Sequence, residues 1–250
     1  MNEPAFYLAS EHWKTEVRLQ GQEAHHLVKV LRLTEDSRII LLDGRGRLGR
    51  FRIRGIGKGY VDLEGLEEQF FPRPTAKAAV AVAVSKAVRR GFFLEKAVEL
   101  GAHAIWIWQA ERGQSKLLPS LEQSWKAQMI AGAKQCKNPW LPELRLLSRG
   151  VDEVTEMASP AAQRILLWEM QDNVPLLSTD TAGRQGLSVY VIGPEGGFSP
   201  RELNVLSAAG FTAASLGQRI LRCETAATLC LGLHWWASHL HETITENTTR

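Results

Sequence analysis

Five apolar runs spaced along the carboxyl two-thirds of the chain constrain its fold more than any other feature. They are residues 78–84, Ala104–Trp108, 164–169, 188–192 and 212–216. Most are followed by a helix-like pattern, over 85–100, 121–135, 200–209 and about 224–240. Strands apolar on both faces, alternating with helices, predict a parallel sheet covered on both sides. Two of the runs end in glycine loops. One leads into Gly193-Pro194-Glu195-Gly196-Gly197-Phe198-Ser199, the other into Gly217-Gln218-Arg219-Ile220-Leu221-Arg222-Cys223-Glu224. Loops at the carboxyl ends of strands are where open α/β sheets bind ligands. Glycine there permits positive φ and close backbone approach.

The amino-terminal part reads differently. Short strand candidates at 37–43, 47–54 and 58–63, separated by glycine turns, predict a small β-barrel. The Phe71-Pro72-Arg73-Pro74 run breaks regular structure. The expected division is therefore a barrel domain over 1–72, an α/β domain over 73–242 and a polar tail over 243–250. Gly44-Arg45-Gly46-Arg47-Leu48-Gly49 matches G-x-G-x-x-G, but it precedes a strand and opens no helix, so a dinucleotide reading fails. Arg50, Arg52 and Arg54 alternate with Phe51 and Ile53, which puts three cations on one strand face. Between Lys29 and Lys58 nine Lys or Arg stand against three Asp or Glu. That face is either a solvated surface or one that contacts RNA phosphates. The run 229–236 in the last helix is apolar almost all round, which calls for burial within the chain or at a subunit interface.

The chain has 250 residues, 44% of them hydrophobic, and a formal net charge of +3. Three unpaired-looking cysteines argue against a disulfide framework and for a reducing compartment. The amino terminus does not resemble a signal peptide, and no apolar run reaches membrane-spanning length. A cytoplasmic protein without metal is expected; His25 and His26 have no further ligands at useful spacing.

Together, IGPEGGFSxxE and LGxRILRxETA resemble the RsmE family, SPOUT-class methyltransferases that modify N3 of a uridine in small-subunit ribosomal RNA. The resemblance extends to the 25–32 stretch His-His-Leu-Val-Lys-Val-Leu-Arg, to Glu95-Lys96-Ala97-Val98-Glu99-Leu100-Gly101, to Glu111-Arg112 and to residues 133–142. Cys223 stands where the family has threonine, and Lys137 where it usually has arginine. The resemblance implies a SPOUT-type sheet with a carboxyl-terminal trefoil knot, preceded by a PUA-like barrel. It implies S-adenosylmethionine (SAM) held by three loops: Leu167-Trp168-Glu169; Ile192-Gly193-Pro194-Glu195-Gly196-Gly197; and Leu216-Gly217 with Arg219-Ile220-Leu221. It also implies a homodimer acting on 16S rRNA in the small subunit, at position 1498 of standard numbering.

For the chemistry, a fixed cation near the uracil oxygens would hold the charge left when the N3 proton departs. Arg222 is the choice for this role. Glu195 or Glu224 could accept the proton, although Glu224 could equally serve only the helix start. Arg32, Arg50, Arg52, Arg54, Lys86 and Arg112 are the expected RNA contacts. A SPOUT methyltransferase acting on another RNA, and a non-catalytic RNA-binding assembly protein, are the competing readings.

Overall fold

The computed structural model describes residues 3–14, 16–89, 91–168 and 174–248. The chain forms two compact units, Met1–Arg73 with Ile130–Leu141, and Pro74–Met129 with Pro142–Arg250. Nothing in the sequence pattern announces that 130–141 joins the first unit.

The first unit contains β1 (Ala5–Tyr7), β2 (Val17–Gln20), α1 (Gly21–His25), β3 (Arg38–Leu42), β4 (Arg47–Gly57) and β5 (Tyr60–Phe70). The strands form one sheet in the order β1-β3-β4-β5-β2. It curls as a half-barrel and does not close, so the expected barrel is open between β1 and β2. Register shifts in the β4–β5 pair, at Arg50/Phe51 and Ile53/Gly55, are bulges that add local twist. Phe51 and Ile53 point into a core with Phe6, Leu19, Leu27 and Ile39, all buried. The G-x-G-x-x-G stretch is the β3–β4 turn. There the Asp43 carboxylate accepts the Arg45 and Arg47 backbone N–H groups at 2.7 and 3.0 Å. The returning segment is tied in by Trp140, whose indole N–H donates to the Phe71 carbonyl at 3.0 Å.

The second unit contains β6 (Ala76–Ala83), α2 (Lys86–Arg89), α3 (Phe92–Glu99), β7 (Ala104–Trp108), α4 (Glu122–Cys136, whose last residues belong to the first unit), β8 (Glu143–Leu147), α5 (Val151–Ala158), β9 (Gln163–Leu167), β10 (Gly186–Ile192), α6 (Pro200–Ala208), β11 (Thr212–Ala214) and α7 (Cys223–Thr248). All six strands run parallel in the order β11-β9-β10-β6-β7-β8. Alanine and valine dominate β6, and its residues 78–83 are buried. Three departures from the sequence reading stand out. The helix expected over 85–100 is broken at Gly91, which takes φ +83°. The pair β8 and α5 had no sequence expectation. The last helix continues to Thr248, through most of the stretch expected to be a polar tail.

Candidate functional site

The carboxyl ends of β11, β9 and β10 lie side by side and level. Leu167 is in register with Ile192 on one side and with Ala214 on the other. Adjacent strands sit about 4.8 Å apart, so three loops leave the sheet next to one another. They enclose one cleft of about 190 Å³, partly open to solvent.

Of the residues nominated for the cofactor, Leu167, Trp168, Ile192, Gly193, Pro194, Glu195, Gly197, Leu216, Gly217, Arg219, Ile220 and Leu221 line this cleft. Glu169 lies outside the described residues. Gly196 is not in the lining. A Cβ built there would stand 3.0 Å from the Arg112 carbonyl oxygen, so Gly196 seats its loop on the turn after β7. Phe198, Ser215, Cys223 and Ala226 line the cleft without having been nominated for it. Phe198 could have been found from the sequence as the apolar residue closing the glycine loop. Its ring stacks on buried Trp108 at 6.0 Å.

Local chemistry explains the loop shapes. Gly217 takes φ +114°, a region that side chains rarely enter, and a Cβ there would meet no atom within 4 Å. The constraint is therefore backbone conformation, not crowding. The Ser215 hydroxyl accepts the Gly217 N–H at 3.1 Å and holds this turn. After the other loop, Ser199 caps α6. Its hydroxyl accepts the Glu202 N–H at 3.1 Å, while the Glu202 carboxylate accepts the Ser199 N–H at 2.7 Å. This is a reciprocal capping box. The second oxygen of buried Glu202 accepts the Glu111 N–H at 2.8 Å. One carboxylate thus joins the glycine loop to the Glu111-Arg112 turn, and the Arg112 guanidinium donates to the Phe198 carbonyl at 3.2 Å.

The nominated catalytic groups separate. Glu195 and Arg222 both line the cleft, and both are exposed. Among the described residues no carboxylate pairs with Arg222. Its carbonyl accepts the Ala226 N–H at 2.9 Å, which makes it the residue that starts α7. Glu224 is not in the lining; its carboxylate is turned toward the Cys223 thiol at 3.4 Å. Cys223 also lies 3.3 Å from the buried Ser85 hydroxyl at the end of β6. Burial, followed by the nearby Glu224 and Glu195, pushes this thiol up to about 11, so it stays protonated and unreactive. Further along α7, Tyr190 of β10 donates to His234 Nδ1 at 2.9 Å. The Gly183 N–H aims at the same nitrogen from 3.3 Å. Burial holds this imidazole down to about 4.

The nominated RNA contacts are dispersed. Lys86 is exposed at the start of α2. On β4 the three arginines do share one face, but Arg50 pairs with Glu3 and Glu67, each at 3.3 Å, and Arg54 lies 3.9 Å from Glu64. Among the described residues Arg52 has no carboxylate partner. Arg32 is exposed in the first unit. No group of three or more His, Cys, Asp or Glu that could hold a metal occurs among the described residues. None of the described helices is long and apolar enough to cross a membrane.

Comparison with known proteins gives a consistent picture. A family model described as the RNA methyltransferase domain matches residues 72–235, and one described as the RNA methyltransferase PUA domain matches residues 19–64. A ribosomal RNA small subunit methyltransferase E from Mycobacterium bovis is 31% identical over 225 residues, covering 86% of this chain and 84% of the relative. The structure of a methyltransferase from Legionella pneumophila with bound SAM superposes with a TM-score of 0.83 at 26% identity, covering 95% of this chain and 98% of that one. A ribosomal RNA small subunit methyltransferase E from Neisseria gonorrhoeae, bound to SAM, gives 0.80 at 27% identity, covering 92% and 95%.

Proposed function

The chain belongs to the RsmE family of small-subunit ribosomal RNA methyltransferases, and from that premise we propose that it methylates N3 of a single uridine, position 1498 of 16S rRNA in standard numbering. It is a SAM-dependent rRNA methyltransferase. The finer reading rests chiefly on the cleft where three strand-end loops meet and where Arg222 and Glu195 share one lining.

The lining of the cleft suits a methyl donor that carries a purine. Leu167, Trp168, Leu216, Ile220 and Leu221 offer apolar walls to a purine, and the Gly197 and Gly217 backbones leave open space beside them. When bound, SAM supplies a methyl group activated by its sulfonium. The chain's own residues handle the uracil. Its N3–H titrates above neutrality, so the nitrogen becomes a good nucleophile only as the proton leaves. Glu195 accepts that proton. Arg222 donates through its planar fork to the O2 or O4 edge, where the negative charge grows. Glu224 keeps the start of α7 in place, a role that suits a carboxylate in a first helical turn. Because N3 lies on the pairing edge, the base must be unpaired or flipped out.

A homodimer belongs to the same reading. The inner face of α7 is buried through Cys230, Leu231, His234 and Ala237, whereas Leu229, Trp235, Trp236 and Leu240 stand exposed, Trp236 at 56%. This apolar strip is what a second copy would cover. A threaded carboxyl-terminal knot and a cytoplasmic site of action, beside the ribosomal substrate, complete the proposal. The deciding experiment is methyl transfer from labelled SAM to small ribosomal subunits, with mass-spectrometric location of the modified base. Label on another nucleotide, or on another RNA, would refute the assignment.

A further inference from the structure

We infer that the turn at residues 25–32 grips an unpaired stretch of the substrate RNA, with Val30 and Leu31 against a base and Lys29 and Arg32 on the flanking phosphates. This deepens the reading above and rests on it for the identity of the ligand as RNA.

The observations come from backbone, exposure and charge together. Helix α1 runs on into a π-helical turn over His26–Val30. The Leu31 N–H donates to the His26 carbonyl at 3.0 Å and the Leu33 N–H to the Leu27 carbonyl at 3.2 Å. Turns of this kind are rare and occur often at functional sites. The turn ends at Arg32, which takes φ +53°. Glycine is the ordinary residue for a left-handed position after a helix, because a side chain is strained there. Here the strained residue is an exposed arginine. Val30 and Leu31 precede it, 60% and 40% exposed. His26 packs edge-on against Phe6 at 6.0 Å and serves the fold. Among the described residues no carboxylate pairs with His25, Lys29 or Arg32.

That last point separates this turn from β4, where Glu3, Glu64 and Glu67 already attend Arg50 and Arg54. RNA must displace those carboxylates before it can use these arginines, whereas Lys29 and Arg32 are available at once. Exposed aliphatic side chains between two available cations match a single strand, which offers an apolar base face between phosphates. A continuous duplex hides its base faces.

Two explanations compete. Arg32 could merely complement the negative end of the helix dipole, or the turn could dock on a ribosomal protein. The test uses the full chain with a fluorescent single-stranded 20-nucleotide RNA, its duplex, and intact small subunits. Lys29→Ala/Arg32→Gly should weaken single-strand binding at least about tenfold and flatten the salt slope by about 1.4, two contacts at about 0.7 each. Val30→Ser/Leu31→Ser should weaken it about threefold with an unchanged slope. Arg32→Gly alone should keep or raise the melting temperature, and SAM affinity should not move. The inference is overturned by any of four results: single-strand affinity of the Lys29/Arg32 variant within twofold of the wild type, an equal loss on duplex, a lower melting temperature for Arg32→Gly, or weaker binding to subunits with unchanged binding to the free strand. The last assigns the turn to a protein partner. If the wild-type chain binds the strand but methylates no small-subunit uridine, the proposed function fails while these binding results still decide the turn.

Discussion

The cleft of the second unit and the arginine strand of the first were both prominent in the sequence, yet the fold treats them differently. In the cleft, three loops with separate sequence positions meet because their strands end level, at Leu167, Ile192 and Ala214. Glu195 and Arg222 then face one space. On β4 the three cations keep the face that alternation assigns them, but β5 runs beside them and carries Glu64 and Glu67. Two of the three become cross-strand ion pairs. A site built from backbone shape survives folding as its local sequence describes it. A site built from side-chain charge depends on what the neighbouring strand supplies.

The largest effect expected bears on the packing of α7 against β10. His234 is held neutral at about 4, below its ordinary 6.5, because burial penalises its charged form. The unfolded chain therefore binds the extra proton first. The stabilisation is fully present above about pH 6.5 and is lost as pH falls toward 4. A shift of this size corresponds to about 3 kcal/mol. Acid should thus loosen the second unit, and His234→Asn, which keeps an acceptor near Nδ1 but does not titrate, should flatten the dependence. Identical pH profiles of denaturant midpoint for variant and wild type would count against this.

Next comes the chemistry inside the cleft. Arg222→Ala should lower single-turnover methyl transfer at least about a hundredfold, the scale of losing one preorganised charge-stabilising donor. SAM affinity should stay within about tenfold. Arg222→Lys should recover part of the rate, since an ammonium keeps charge but not the fork. A near-normal rate for the alanine variant would leave Arg222 as no more than the residue that starts α7.

Smaller again is the backbone effect that defines the cleft. Gly217→Ala adds only a methyl group into open space, yet it must hold φ +114°. SAM affinity by calorimetry should fall about tenfold, or about 1.4 kcal/mol. Gly196→Val should also lose SAM, but by pushing its loop off the Arg112 carbonyl and not by filling the cleft. Unchanged affinity in the folded Gly217 variant would show that the turn adjusts freely.

The smallest effect falls on the other side of the comparison. Neutralising Arg50, Arg52 and Arg54 together should reduce the salt slope of RNA binding by about 0.7, the share of Arg52 alone, and not by about 2. A reduction near 2 would mean that RNA displaces Glu64 and Glu67, and the contrast between the two regions would dissolve.

What could be read in advance follows the range of the physics involved. Apolar strand runs and glycines at strand ends are decided within a few residues. They determined the parallel sheet and the place of the glycine loops at strand ends. Tertiary structure decided whatever needed a distant partner. Cys223 meets Ser85 across 138 residues. Glu202 reaches the Glu111 N–H across 91. The 130–141 segment joins the first unit through Trp140, and Glu64 and Glu67 neutralise arginines that a one-dimensional charge count leaves free. Backbone conformation is encoded by the residue that adopts it. The pairing of a charge or a buried polar group is encoded only by the fold that brings its partner near.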